Sequence, residues 1–220
     1  MPRYATFDCY GTLIDWNGGI RAALAGLWPD ADADRLLARY HELEPQVQRE
    51  QPTASYREVL ARTLARVAAS EGLRLRPRDE GVLGDSLPGW QPFPDAPEVL
   101  AELRRRGWRL AVLSNTDPDL VAASIERLRV PFDEVITARE AGSYKPAPGH
   151  WRVFFERTGA TATEHVHVAQ SLFHDIAPAC ELGLTCVWIN RLGEPPGPRP
   201  TRELPDLSAL PDTLEELVPA

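Results

Sequence analysis

Four short stretches of the sequence place charged or hydrogen-bonding side chains at or shortly beyond the end of an apolar run. These are Asp8 with Tyr10 and Thr12, then Ser114 with Asn115, then Lys145, and finally Ser171 with His174 and Asp175. Ligands of an open parallel sheet bind outside the carboxyl ends of its strands, where loops and helix N-termini present donors. If the apolar runs are strands of one such sheet, two carboxylates, an ammonium group and several hydroxyl and amide groups surround one binding site.

The pattern along the chain predicts such a sheet. YATFD is typical of a short buried strand that ends at the turn of Gly11. From Ala96 onward helical and strand-like segments alternate, and the strands are RLAVLSN, EVITA, HVHVAQS and TCVWIN. Strands that alternate with helices of this length imply parallel crossovers. We therefore predict an α/β fold with a doubly wound, Rossmann-like core, followed by a Pro-rich tail with a last short helix near DTLEEL.

The segment from Trp16 to Trp90 has a different pattern. ADADRLLARYHELEPQVQRE and SYREVLARTLARVAASEG are rich in Ala, Leu and Arg and have the spacing of amphipathic helices. Ser55 followed by Glu58 predicts a capping box, and the prolines of PGWQPFPDAP are typical of a linker. We predict a helical cap domain at residues 16–90, inserted after the first strand of a core formed by residues 1–15 and 91–220.

Composition excludes several classes of function. With 43% hydrophobic and 25% charged residues the chain of 220 residues is typical of a globular protein. The net charge of -8 argues against a nucleic-acid partner. No apolar run approaches the length of a membrane span, and the start MPRYATFD lacks a secretory apolar region, so we expect a cytoplasmic protein with no membrane partner. Three cysteines without CxxC spacing indicate reduced thiols.

The motifs FDCYGTLID, LSN, YKPAP and the region of Asp175, in this order, resemble the four motifs of the haloacid dehalogenase superfamily. The resemblance covers nearly the whole chain, including the helical insertion, which matches the family's cap. Phosphatases of the superfamily carry a general-acid Asp where this chain has Tyr10, and a magnesium-binding acid where it has Ser171. A tyrosine at the first position is what the L-2-haloacid dehalogenase branch shows, and the sequence is most similar to that branch.

The resemblance implies a hydrolase acting on carbon–halide bonds, an (S)-2-haloacid dehalogenase. Asp8 would attack the Cα atom of a short L-2-haloacid and form an ester with inversion, and water would then hydrolyse the ester at the Asp8 carbonyl. Chloride leaves as a stable anion, so this reaction needs no general acid. The resemblance implies neither a metal ion nor an organic cofactor, and the partner is the small-molecule haloacid.

The resemblance also implies a role for each motif residue. Lys145 would keep Asp8 ionised and oriented, and Ser114 with Asn115 would contact the substrate. Arg39 of the cap, together with Asn115, would receive the halide, although Arg35 and Arg49 lie on the same helical stretch. The residues expected to bind substrate or position the hydrolytic water are Tyr10, Gln170, His174 and Asp175.

Some positions depart from the branch or have a second interpretation. The branch shows Ser and Asn, which help to position the water, where this chain has Gln170 and Leu172. Asp175 could instead cap the next helix. We take Cys9 as a packing residue and His41, His150, His165 and His167 as non-functional, whereas Trp16, Tyr40, Trp90 and Phe173 fit a pocket or the core equally well.

Two rival functions remain at this point. The first is a phosphatase or another hydrolase of the superfamily, which would need Mg²⁺. The second is a non-catalytic relative that kept the fold. Relatives often form homodimers, but the sequence carries no independent sign of one.

Overall fold

The computed structural model describes residues 2–195 and 197–219, which are built around a six-stranded sheet. The strands are β1 (Arg3–Phe7), β2 (Trp108–Ser114), β3 (Glu134–Thr137), β4 (His165–Ala169), β5 (Cys186–Ile189) and β6 (Arg202–Leu204). Their order across the sheet is β3-β2-β1-β4-β5-β6, and all neighbours are parallel. The predicted doubly wound α/β fold is confirmed.

β1 occupies the middle of the sheet, where the winding changes direction. Phe7 is aligned with Val112 on one side and with Val168 on the other, and all three side chains are fully buried. Burying an apolar side chain of this size stabilises the fold by about 1.5–3 kcal/mol. Asp8 therefore emerges between the ends of two neighbouring strands, at the switch point where doubly wound sheets bind ligands.

Only helices and short helical turns form regular elements between Trp16 and Gly89, in the part of the chain that we call the cap segment (residues 16–90). Its helices are α1 (Trp16–Leu27), α2 (Ala33–Glu50), α3 (Tyr56–Ser70) and α4 (Val82–Ser86). The capping box at the start of α3 is present as predicted, with the Glu58 carboxylate accepting from the Ser55 N–H at 2.9 Å. The domain boundaries at residues 15 and 91 stay a prediction.

The remaining helices follow the cap segment along the chain. They are α5 (Ala96–Arg105), α6 (Pro118–Leu128), α7 (Ala138–Ala141), α8 (Gly149–Thr158), α9 (Ala177–Glu181) and α10 (Leu210–Leu217). Two details differ from the sequence pattern. A π-helical turn at Leu172–Ile176 precedes α9, and the Pro-rich tail adds the short edge strand β6. No helix in the described ranges combines the length and apolar character that crossing a membrane requires.

Candidate active site

The ammonium group of Lys145 is the centre of the site. It donates to Asp8 Oδ1 at 2.9 Å, to Asp175 Oδ1 at 2.7 Å and to the carbonyl oxygen of Leu113 at 2.8 Å. These three bonds use all of its donors. Lys145 and Asp175 are each 1% exposed, and Asp8 is 8% exposed. One cation thus aligns two carboxylates in a site that is nearly closed to water.

Asp8 is held by the turn that follows β1. Gly11 has a φ of 90°, a conformation that favours glycine, and this lets the chain fold back over the strand end. Thr12 Oγ1 then donates to Asp8 Oδ2 at 2.9 Å and accepts from the N–H of Gln170 at 2.9 Å. Each oxygen of the Asp8 carboxylate therefore has one donor, which fixes its orientation.

Ser114 and Asn115, at the end of β2, have different tasks. Asn115 accepts from the Lys145 N–H at 2.6 Å and donates to the Lys145 carbonyl oxygen at 3.0 Å. The Asn115 amide thereby fixes the loop that carries Lys145. Only the second N–H of this amide is left for a ligand. The Ser114 hydroxyl lines the cavity and has no partner among the described residues, so it is available to a substrate.

Asp175 lies inside the π-helical turn and does not act as a helix cap. Ser171 caps this turn by accepting from the His174 N–H at 3.0 Å. Asp175 Oδ1 instead contacts Lys145 and His167 Nε2, the latter at 3.0 Å. The prediction that His167 has no part in the site is therefore wrong, because its side chain points from β4 onto the carboxylate.

The cavity at this edge of the sheet has a volume of about 540 Å³. Asp8, Ser114 and Lys145 line it from the core, and one face of α2 lines it from the cap segment. Of the four aromatic residues with two interpretations, Trp16 and Phe173 line the cavity, while Tyr40 and Trp90 are buried in the core.

Tyr10, Gln170 and His174 also line the cavity, as the sequence predicts. The Tyr10 hydroxyl lies 2.9 Å from Ser124 Oγ, so its ring rather than its hydroxyl is offered to the cavity. The amide of Gln170 donates to Glu194 Oε2 at 3.1 Å, and His174 Nδ1 lies 3.1 Å from Ser171 Oγ. Burial lowers the pKa of His174 to about 4, so its ring is neutral at physiological pH.

Arg39 is not in the cavity. Its guanidinium group donates to Glu42 and to Ser70 on the outer surface of the cap segment. A helix turns by about 100° per residue, so Arg39 points away from the face of α2 that lines the cavity. Neither Arg35 nor Arg49 lines the cavity. The predicted placement of a halide-receiving arginine on this stretch is therefore wrong.

The protonation states of the three central groups are coupled. Burial raises the pKa of Asp8, and the Lys145 ammonium opposes that shift. Burial acts in the same direction on Asp175, but Lys145 and His167 outweigh it and hold its pKa below the usual range. Burial disfavours the charge of Lys145, yet its two carboxylate partners raise its pKa. On acidification Asp8 is thus protonated before Asp175, while Lys145 keeps its charge.

The donor set does not fit a magnesium ion. A hard cation of this kind needs several oxygen ligands, but Lys145 already occupies the space between Asp8 and Asp175. The hydroxyls of Tyr10 and Ser171 are engaged with Ser124 and His174. Within residues 2–195 and 197–219, no group of three or more His, Cys, Asp or Glu side chains is arranged to hold a metal.

Comparison with known proteins identifies the family. The profile of the haloacid dehalogenase-like hydrolases matches residues 2–183. The chain belongs to this family. The resemblance drawn from its four motifs is therefore confirmed.

Relatives of this haloacid dehalogenase-like hydrolase include enzymes of two kinds. The (S)-2-haloacid dehalogenase of Pseudomonas sp. (strain YL) is 29% identical over 95% of this chain and 93% of that protein. A crystal structure of an L-2-haloacid dehalogenase, 25% identical, matches with a TM-score of 0.87 over 97% of this chain and 99% of the other. Ribulose-1,5-bisphosphate 5-phosphatase of Halopiger xanaduensis is 35% identical over 51% of this chain and 50% of that protein.

Sequence reasoning missed some members of the site. Thr12 stands at the end of the first strand in the sequence, but the sequence does not predict its bond to Asp8. Glu44 and Gln48 lie on the buried face of α2, and polar residues at apolar positions of a helix are a signal that could have found them. Lys145 is the single lysine of the chain, whose other basic side chains are arginines and histidines. That rarity was a further signal for the site.

Proposed function

We propose that this hydrolase converts a short L-2-haloacid to the 2-hydroxy acid through an ester of Asp8, in a reaction without metal. The relatives that match it over nearly the full length include haloacid dehalogenases, so the carbon–halide bond is the class of bond on which it acts. The observation that carries the proposal is the Asp8 carboxylate, aligned at the cavity wall by Lys145 and Thr12. No proton donor for a leaving group is needed beside it.

In the first step an oxygen of Asp8 forms a bond to Cα while the carbon–halide bond breaks, and the halide takes the electron pair. Attack from the face opposite the halogen inverts the carbon. In the second step water adds to the ester carbonyl of Asp8, the 2-hydroxy acid departs, and one proton is released. Asp175 would orient this water through its Oδ2, which has no partner among the described residues, while its Oδ1 is engaged by Lys145 and His167.

The substrate carboxylate would bind at Ser114, whose buried hydroxyl is free. Arg39 lies outside the cavity, and the two arginines that line it, Arg21 and Arg191, are paired with Asp34 and Asp95. We therefore assign the departing halide to neutral groups. The candidates are the second N–H of Asn115 and the cap wall formed by Trp16, His41 and Gln48. A buried donor aimed at developing charge is worth about 3 kcal/mol.

A phosphatase is the second candidate, favoured by the similarity of half of the chain to ribulose-1,5-bisphosphate 5-phosphatase. A phosphatase requires a cation to neutralise the transferring phosphoryl group. The oxygen donors of this site fit a magnesium ion poorly. The two candidates therefore differ in their need for Mg²⁺.

The test measures chloride release from L- and D-2-chloropropionate with EDTA present, and phosphate release from p-nitrophenyl phosphate with Mg²⁺. We expect chloride from the L-isomer alone, and its loss in Asp8→Asn. Asp30→Asn, at an exposed aspartate outside the cavity, is the matched control. After one turnover in heavy-oxygen water, the label is expected in the Asp8 carboxylate. Phosphate release without chloride release, or equal behaviour of Asp8→Asn and wild type, contradicts the proposal.

A further inference from the structure

The cap wall of the cavity carries a buried acid that the proposed mechanism does not use. His41, Glu44 and Gln48 are spaced at three and four residues along α2 and all line the cavity. Glu44 is 5% exposed, and Gln48 donates to its Oε1. No Lys or Arg in the described ranges forms a salt bridge with it. Glu44 therefore has a neutral hydrogen-bond partner and no counter-ion.

Neutral side chains surround this carboxyl group. Burial and the negative charge of Glu44 raise the pKa of Tyr40 in α2 and of Tyr56 in α3. Burial, Asp117 and Glu44 raise the pKa of Tyr144, which precedes Lys145. Burial raises the pKa of Glu44 itself to about 7. The Gln48 hydrogen bond opposes that shift only in part. At neutral pH the protonated and ionised forms of Glu44 are therefore similarly populated.

The protonation state of Glu44 matters because the cavity already carries negative charge. Asp8 and Asp175 share the single charge of Lys145, which leaves one net negative charge. Two arginines at the cavity have carboxylate partners of their own, Arg21 with Asp34 and Arg191 with Asp95.

The rim acids Asp15 and Glu194 accept from the Gly18 N–H and from the Gln170 amide. An ionised Glu44 would add a further uncompensated negative charge in a poorly hydrated space.

We infer that Glu44 is a specificity-determining residue: the cavity accepts an anionic substrate only while this carboxyl group of the cap wall is protonated. The inference rests on the proposed function, because it takes the substrate to be a carboxylate. Protonated, Glu44 offers a donor to the bound anion. Ionised, it repels the carboxylate and favours a neutral or cationic ligand of the same shape.

The experiment measures binding rather than turnover. The dissociation constants of propionate and of the neutral propionamide are determined at about pH 6 and about pH 8.5 from tryptophan fluorescence, to which Trp16 in the cavity contributes. Wild type, Glu44→Gln and the control Glu50→Gln are compared. Glu50 lies on the same helix, is exposed and pairs with Arg66.

For wild type and Glu50→Gln we expect the propionate dissociation constant to rise about tenfold or more at the higher pH. In Glu44→Gln it stays within about twofold, because glutamine keeps the shape and cannot ionise. Propionamide binding is independent of pH in all three proteins. His41, whose pKa burial lowers, is retained in Glu44→Gln, so any residual pH dependence there belongs to it.

Equal pH profiles in wild type and Glu44→Gln overturn the inference, as does the absence of propionate binding at both pH values. Its failure is distinguishable from failure of the proposed function. If chloride is released but wild type and Glu44→Gln show equal pH profiles of propionate binding, only the role of Glu44 is contradicted. If the binding profiles are as expected but no chloride is released, only the dehalogenase proposal is contradicted.

Discussion

At the scale of single residues, Lys145 is the counter-ion of two carboxylates at once. Its ammonium group lies between two carboxylates and is capped by the Leu113 carbonyl oxygen. Removing one member of a buried ion pair leaves an uncompensated charge, which costs more than a surface pair contributes. Asp8 would respond by taking up a proton, because burial already raises its pKa.

Lys145→Met keeps the length of the side chain and removes its charge. We expect kcat/KM for L-2-chloropropionate to fall roughly 100- to 1000-fold. The acid limb of its pH profile should move upward by about 1 pH unit or more, since Asp8 loses the cation that favours its ionised form. Thermal unfolding of the variant establishes that it is folded. Activity within about tenfold of wild type, or an unchanged acid limb, would show that Lys145 does not control Asp8.

At the scale of secondary structure elements, an aspartate of the core binds the N-terminus of α3, a helix of the cap segment. Both carboxylate oxygens of Asp117, which precedes α6, accept from backbone N–H groups at the start of α3, those of Tyr56 and Arg57, each at 3.0 Å. The Tyr144 hydroxyl donates to the Ala54 carbonyl oxygen at 2.7 Å beside them. A carboxylate at a helix N-terminus satisfies free donors and interacts favourably with the helix dipole. Asp117 therefore ties α3 to the loop that follows β2.

Asp117→Ala is expected to lower the free energy of unfolding by about 1–2 kcal/mol and to raise KM, because the cap wall of the cavity is held less firmly. Asp119→Asn is the matched control, since its pair with Arg57 is exposed and worth less than about 1 kcal/mol. Denaturant unfolding and steady-state kinetics give the two quantities. If both variants lose the same stability and keep the same KM, the hydrogen bonds of Asp117 to α3 do not hold the cap wall in place.

At the scale of the whole molecule, histidines held neutral set the response to acid. Burial lowers the pKa of His150 and His165 to about 3, and that of His174 to about 4. Where the folded pKa lies below the unfolded value, the folded state binds fewer protons. Stability is then complete above about pH 6.5 and is lost as the pH falls toward the lowered values. Glu44 and Asp8, with their raised pKa values, act in the opposite direction, but they are two groups against three histidines.

We therefore expect Tm to fall steadily between about pH 7 and about pH 4.5. His165→Gln removes one titrating group and should reduce the slope of unfolding free energy against pH by about 1.4 kcal/mol per pH unit. Denaturant titrations across this range measure that slope. A variant slope equal to that of wild type would mean that His165 is not held neutral.

Much of the fold and the centre of the site follow from the sequence. The alternation of helices and strands predicts a parallel sheet, and parallel strands end at one edge, which predicts that Asp8, Ser114 and the loops carrying Lys145 and Asp175 lie together there. This inference needs only the order of the elements. It does not depend on how any helix is rotated about its axis.

Only the tertiary structure decided which side chains of the cap segment and of β4 enter the site. A rotation of about 100° per residue separates Arg39, on the outer surface, from Glu44, in the cavity wall. In the same way, the side of the sheet to which the His167 side chain of β4 points brings it into contact with Asp175. Spacing along the chain establishes which residues share a face, but the direction of that face depends on packing between elements that are distant in sequence.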